Sequence, residues 1–260
     1  MTSFSFGGTT LASIGIVTVI DDYLSTPLRR GSDQQIPFSD GQNFVTKYYD
    51  ERILSFGITI VQSSAANLES TMETFRKLIS PRTQQTLAMT MQSGAVRNIQ
   101  AIVEKALQVK RITPGIAQIV VEFVCSSPYW LNSTVIADNT TTINANPTAM
   151  TVTNPGTVDC RIPTLILTGP LSNTVITNST NGLVLTYTGT IASPRVVTIQ
   201  VNTTGEWKCT DDLSNNLIGN LSHSGDVTLM SFIPGANTLS IADSTHSTGT
   251  VKASFYAPYL

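Results

Sequence analysis

Turn-forming residues open the second half of this chain and recur through it: Ser127-Pro128-Tyr129-Trp130, Asn154-Pro155-Gly156-Thr157, Pro163, Gly169 and Pro234-Gly235-Ala236-Asn237. Proline supplies no ladder donor, and glycine takes backbone angles closed to other residues, so these positions stop or reverse a strand. The stretches between them are short and alternate apolar residues with Thr or Asn. That is the pattern of antiparallel strands with one face in a core and one in water. Strands are expected at 149–153, 164–167, 174–177, 183–187, 196–201, 206–209, 227–232, 238–241 and 251–256. Regular short strands of this kind predict a closed or sandwiched antiparallel fold. Asn202-Thr203-Thr204-Gly205 reads as a hairpin loop, and Trp207 beyond it as core or rim packing.

The first half is also rich in β-structure but carries one clear helix. Leu68, Met72, Phe75, Leu78 and Ile79 recur at helical spacing on one face. Ser64 or Asn67 is placed to cap it, Arg76 and Lys77 complement its C-terminal dipole, and Pro81 prevents continuation. Strands are expected at 17–20, 44–49, 53–61 and 86–91, with Asp50-Glu51-Arg52 as a tight polar turn joining the second and third into a hairpin. Residues 36–41 give a further turn signal. Residues 99–107 read equally as helix or strand, while 109–112 and 116–124 alternate across Thr113-Pro114-Gly115 and predict a hairpin. Ser126-Ser127-Pro128 closes the region, which divides the chain into domains at residues 1–128 and 129–260. Residues 131–149 are dominated by Asn, Thr and Ala, a composition of an exposed connection or an irregular edge.

Composition narrows the function. The chain has 260 residues, of which 41% are hydrophobic, enough for a core in each of two domains. Only 12% are charged, well below the ~25% usual in soluble proteins, so Ser, Thr and Asn supply most of the polar surface. A net charge of -2 with scattered basic residues provides no field for a polyanion, so sequence-specific nucleic-acid binding is not expected. Cys125, Cys160 and Cys209 are odd in number and far apart, which suggests buried thiols rather than a zinc site or a disulfide framework. The apolar stretch 11–20 has no basic residue before it and ends at Asp21-Asp22, so it reads as a strand, not as a signal peptide or a membrane span. Acceptor patterns for N-glycosylation at Asn132, Asn139, Asn178, Asn202 and Asn220 arise easily in so Thr- and Asn-rich a region.

Catalytic chemistry is not signalled. There is no serine in a nucleophile elbow, no phosphate-cradling glycine loop, and neither His223 nor His246 has a partner at metal-binding spacing. Asp211-Asp212 is the nearest approach to a carboxylate pair, but adjacent strand residues face opposite ways, so a turn is the better reading. The chain is expected to be no enzyme, with no catalytic residue, cofactor or metal.

The order of these features, from a mixed β domain with one helix through Pro128-Tyr129-Trp130, Asn154-Pro155-Gly156-Thr157, Pro163, residues 164–169 and Pro234-Gly235-Asn237, resembles the distal tail proteins of long, flexible-tailed bacteriophages. The similarity covers nearly the whole chain. It implies an N-terminal belt domain that oligomerises into a ring, usually hexameric, and a C-terminal galectin-like β-sandwich. Such rings are hubs joining the tail tube protein to the tail tip or a tail-associated hub protein and docking a receptor-binding protein. The implied location is the virion, at the phage tail tip, after assembly in the bacterial host cytoplasm. Within this expectation Asp50, Glu51 and Arg52 form a candidate ring-contact hairpin, and Glu206 with Trp207 is the one local echo of a galectin sugar site. The rival expectations are a carbohydrate-binding lectin or adhesin, a polysaccharide hydrolase working through Glu206 or Asp211, and another minor tail or tail-tube protein.

Overall fold

The computed structural model describes residues 2–20, 23–31, 33–35, 40, 42–43, 48–105, 107–161, 163–201, 206–224, 231–244 and 248–260, with backbone alone at 34–35, 42–43 and 137–138. The chain divides into two compact units, Met1–Ser133 with Leu260, and Thr134–Tyr259. Both are built from antiparallel strands, and the first holds the single α-helix among the described residues.

The first unit runs β1 (Ser3–Phe6), β2 (Thr9–Thr10), a 3-10 turn at Leu11–Ser13, β3 (Ile16–Val19), β4 (Arg29–Arg30), β5 (Gln34–Gln35), β6 (Gln42–Asn43), β7 (Tyr48–Tyr49) and β8 (Arg52–Val61). It continues with α1 (Ala65–Ile79), β9 (Gln85–Thr90), β10 (Val96–Ile102), β11 (Gln108–Thr113), β12 (Ile116–Cys125) and β13 (Trp130–Asn132). Its centre is the ten-residue ladder between β8 and β12. Strict alternation sends Leu54, Phe56, Ile58 and Ile60 to the same side as Ala117, Ile119, Val121, Phe123 and Cys125, and all of them are buried. Phe123 meets Phe56 edge-on at 5.6 Å and Phe6 at 4.7 Å, so aromatic packing ties β1 to the central ladder. β3 flanks β8 and β11 flanks β12, while β10 pairs with the far end of β12 and leads on to β9, β1 and β2. The segment 99–107, open between helix and strand in sequence, thus begins as strand.

α1 forms where the apolar spacing places it. Leu68, Met72 and Phe75 are buried, and Leu78 and Ile79 are half-buried in the last turn. Ser64 is the cap: its Oγ accepts from the Asn67 N–H at 3.2 Å. Replacing Ser64 with Ala leaves that donor unsatisfied and is expected to cost about 1 kcal/mol, measurable by urea denaturation. The turn between β11 and β12 is equally local. Ile116 pairs with Thr113 across Pro114-Gly115, and Gly115 sits so close to the Gln62 carbonyl that a Cβ would lie 2.4 Å from it. The Gly115 carbonyl accepts from Gln62 N–H at 2.8 Å, so no side chain fits there.

The expected hairpin about Asp50-Glu51-Arg52 does not form. Residues 44–47 lie outside the described residues, but β7 pairs back with β4, Arg29 opposite Tyr49 and Arg30 opposite Tyr48. β8 instead pairs with β3 and β12. The β5–β6 ladder is nested inside β4–β7, so β4 and β5 run out and β6 and β7 return as a two-stranded arm inserted between β3 and β8.

The second unit contains β14 (Ile136–Thr142), β15 (Thr148–Asn154), β16 (Thr164–Thr168), β17 (Leu171–Asn178), β18 (Leu183–Ile191), β19 (Val196–Val201), β20 (Trp207–Asp211), β21 (Leu221–Ser224), β22 (Gly235–Ala242), β23 (Thr250–Phe255) and β24 (Pro258–Tyr259). They form two five-stranded antiparallel sheets, β14-β23-β16-β19-β20 and β15-β22-β17-β18-β21. Leu165, Leu167, Val197, Ile199, Val251 and Ala253 from the first sheet share one core with Val152, Ile176, Leu183, Leu185, Leu239 and Ile241 from the second, which makes this unit a β-sandwich. The Asn- and Thr-rich stretch after residue 131 includes an edge strand, β14, whose register slips between Ile136 and Asn139. Of the strand expected at 227–232, residues 227–230 lie outside the described residues, and Phe232 forms an isolated bridge to Cys160.

The asparagines of the turn motifs are structural staples. Asn154 donates Nδ2 to the Val158 and Phe232 carbonyls and accepts the Gly156 N–H on Oδ1. Asn237 donates to the Val152, Ile233 and Gly235 carbonyls and accepts from Ile233 N–H. Both are buried, and a buried carboxamide is tolerated only when its donors and acceptor are met in this way. Asn178, also buried, donates Nδ2 to the Ser231 carbonyl, so this glycosylation pattern is closed in the folded chain.

Candidate functional site

Within the sheet of the first unit β3, β8, β12 and β11 lie side by side, and β3 and β11 each pair on one side only among the described pairings. Residues align in rows across it. Val17, Ile58, Ile119 and Val109 lie toward the core side, whereas Ile16, Thr59, Gln118 and Lys110 form one row of the opposite face and Thr18, Gly57, Val120 and Gln108 the next. The charged residues of that opposite face are Lys110 and Glu122. Glu122 is paired with Lys105.

The two free edges differ. All six residues of β11 are exposed, including Val109 and Ile112, and it carries Lys110 and Arg111. β3 has no charged residue, is wholly β-branched, and leaves Ile16 66% exposed. A groove of about 600 Å³ runs along β3, lined by Phe4, Ile14, Ile16, Val17, Thr59 and Val61 among others, none of them charged. An uncharged, apolar edge can template pairing with another strand, and proteins that stay monomeric often blunt such edges with Lys, Pro or a bulge. On the β11 side, a groove of about 380 Å³ lies between the strand and α1, floored by Leu68, Met72, Val109 and Ala117 and crossed by the Arg111–Glu69 pair at 3.1 Å.

Of the candidate ring-contact residues, Asp50 and Glu51 sit at the root of the arm, and Glu51 is exposed. Arg52 is not a surface residue. It is the first residue of β8, only 3% exposed, with Nε donating to the Pro128 carbonyl at 3.0 Å and Nη1 to the carbonyls of Tyr23 and Ser25 at 3.1 and 2.9 Å. In sequence a charged triplet after two tyrosines looks like a solvated turn. What overrides that reading is a set of backbone carbonyls contributed by residues far away in the chain, which spacing does not reveal.

Glu206 and Trp207 stand at the start of β20, the edge strand of its sheet. They share a groove of about 490 Å³ with Lys208, Thr210, Asn216 and Ile218. Trp207 is half-buried and packs on the sandwich core. The far wall of the groove exists because the chain folds back on β20: Leu217 N–H donates to the Cys209 carbonyl at 2.7 Å, and Asp211 organises the turn. Asp211 accepts from the Leu213 and Asn215 N–H groups, from Asn215 Nδ2 and from Arg195. These bonds, the one from the Asn215 side chain foremost, hold its carboxyl below the usual carboxylate range. Asp212 pairs separately with Arg195 Nε at 3.0 Å. The two carboxylates therefore shape a turn, as adjacency in sequence predicts. His223 lies on β21, and His246 lies outside the described residues.

Among the described residues no group of three His, Cys, Asp or Glu side chains is placed to hold a metal ion, and no helix is long and apolar enough to cross a membrane. All three cysteines are buried. Burial pushes the Cys125 thiol up to about 12 and the Cys209 thiol up to about 11, so both stay protonated at neutral pH and are poor nucleophiles. Folded protein is expected to react with Ellman's reagent at least 100-fold more slowly than urea-unfolded protein; rapid reaction of a cysteine in the native chain contradicts this placement.

Comparison with known proteins gives these surfaces a context. Residues 13–125 match the family model of the phage tail protein RIFT-related domain. Over its whole length the chain is similar in fold to a Dit protein. It superposes on the Dit (gp 19.1) protein of phage SPP1 with a TM-score of 0.74 at 14% identity, covering 100% of both chains. Chains of two phage P2 baseplate structures align more loosely. In the calcium-activated form the TM-score is 0.47 at 9% identity over 98% of each chain, and in the strontium form 0.46 at 10% over 100% of each. No curated protein matches the chain.

Proposed function

We propose that this protein is a structural component of the distal phage tail, a ring-forming hub that joins the tail tube to the tip or baseplate and docks host-recognition components. The SPP1 Dit protein, whose fold it shares, is described as a paradigm of the hub adsorption apparatus of phages infecting Gram-positive bacteria.

The observation that carries the ring is the pair of unlike free edges, β3 and β11, that flank β8 and β12. Pairing the β3 edge of one copy with the β11 edge of the next aligns Val17 and Val19 with the Val109 side and Ile16 with the Ile112 side, so apolar residues meet on both faces. Such a contact is head-to-tail. Repeated by rotation it closes a ring and covers both the β3 and the β11 edge. In that ring the face bearing Thr18, Thr59, Gln118, Gln108 and Lys110 lines the channel. The second unit, a sandwich of the kind a galectin-like domain has, is the docking module for tip and receptor-binding proteins. The role is mechanical, with no bond made or broken, and its place is the virion.

Electron-microscope class averages of the isolated protein test this reading. Annuli with a central opening and outward lobes, with sixfold symmetry the leading expectation, support it; isolated single-copy particles at every concentration contradict it. The groove over β20 supports a second reading, contact with a glycan through Trp207, Glu206, Lys208 and Asn216. Glycan-array binding abolished by Trp207→Ala and by Glu206→Gln, in protein that forms no rings, favours that reading over the first.

A further inference from the structure

We propose that Arg52 is a clasp that makes the root of the arm and the segment that follows β12 a single block, so that the two are released together or not at all. Three carbonyls from two remote segments converge on its guanidinium. Tyr23 and Ser25 precede the arm, and Pro128 follows β12. No carboxylate among the described residues pairs with it, and its cross-strand neighbour is the buried thiol of Cys125. Nη2 is buried without a partner.

A buried cation without a counter-ion is costly, and among the described residues the compensation comes from carbonyl dipoles. Loss of one segment strips the guanidinium of part of its solvation substitute and weakens its hold on the other, so the two attachments are coupled through one group. A second tie reinforces the block. Tyr49 on the returning strand of the arm meets Tyr129 edge-on at 6.3 Å, and Arg29 lies 5.1 Å over the Tyr49 ring with Nη2 bonded to its hydroxyl at 3.0 Å. Asp50 N–H donates to the Leu28 carbonyl at 2.8 Å, which closes the root of the arm.

The clasp joins two segments with different tasks. The arm root exposes Leu24, Leu28 and Tyr48, with Leu28 at 83%, and so presents side chains with no role in the core. Residues 126–130 carry the chain from β12 to β13. Whatever fixes the arm therefore fixes this β12–β13 link, independently of whether rings form.

Hydrogen exchange on the full chain tests this. In the wild type, peptides covering 23–30 and 126–131 are expected to share one opening free energy. Arg52→Met is expected to lower protection of both by about tenfold or more, the worth of a charged hydrogen bond, while 54–60 and 116–121 keep theirs. Arg52→Lys, which keeps the charge but not the fork that reaches both segments, is expected to lower both by less. If Arg52→Met does not fold, Arg52→Lys combined with Tyr129→Leu probes the same joint with the core intact. A loss confined to one segment, an equal loss in the central ladder, or no loss overturns the proposal.

Discussion

Val19→Pro is expected to abolish ring formation while leaving the subunit folded. Ile20 N–H donates to the Ser55 carbonyl at 2.9 Å. In an antiparallel ladder the donors of alternate residues point the same way, so Thr18 also faces β8, and the N–H groups of Val17 and Val19 face the free edge. Proline at position 19 removes an outward donor and places its ring where a neighbouring strand has to lie, without breaking the bonds to β8. The variant is expected to run as a monomer in sedimentation analysis at concentrations where the wild type is assembled, with a thermal midpoint within a few degrees of the wild-type subunit. Rings that persist in Val19→Pro place the contact elsewhere than on β3.

Phe123→Ala is the largest stability effect the fold predicts. Phe123 is fully buried on β12 and bridges Phe6 and Phe56, and truncating such a side chain costs about 3–5 kcal/mol in transfer and cavity terms. That is a large share of the stability of an ordinary domain. The second unit has its own core, so calorimetry is expected to show the first unit melting well below its wild-type temperature while the transition of the sandwich stays in place. A common downward shift of both transitions contradicts separate cores.

Much of this fold is legible residue by residue because its signals are local. Leu68, Met72 and Phe75 with Ser64 before them and Pro81 after them specify α1, and Thr113-Pro114-Gly115 specifies the turn into β12. The strand partners are not legible, because pairing is decided between residues far apart. Tyr48 and Tyr49 precede β8 directly, yet their ladder partners are Arg29 and Arg30, and the intervening arm leaves no periodic signature. β14 was readable only as an edge or a connection, since Asn and Thr dominate it and little of it faces a core. At the candidate sites the same limit applies. Glu206 and Trp207 are neighbours in sequence and share a groove, but Asn216 and Ile218 reach it only through the turn that Asp211 holds. Arg52 is the clearest case, a residue whose role depends on carbonyls of Tyr23, Ser25 and Pro128. An arginine in sequence shows its charge, not the dipoles that will receive it.

The central claim is that copies of this chain associate through the free edges of the first unit. Native mass spectrometry of the purified full-length protein, alone at high concentration and with its tail partners, measures this directly. The account predicts one dominant closed oligomer, six copies being the leading expectation, that is lost in Val19→Pro. A strict monomer under every one of these conditions contradicts it.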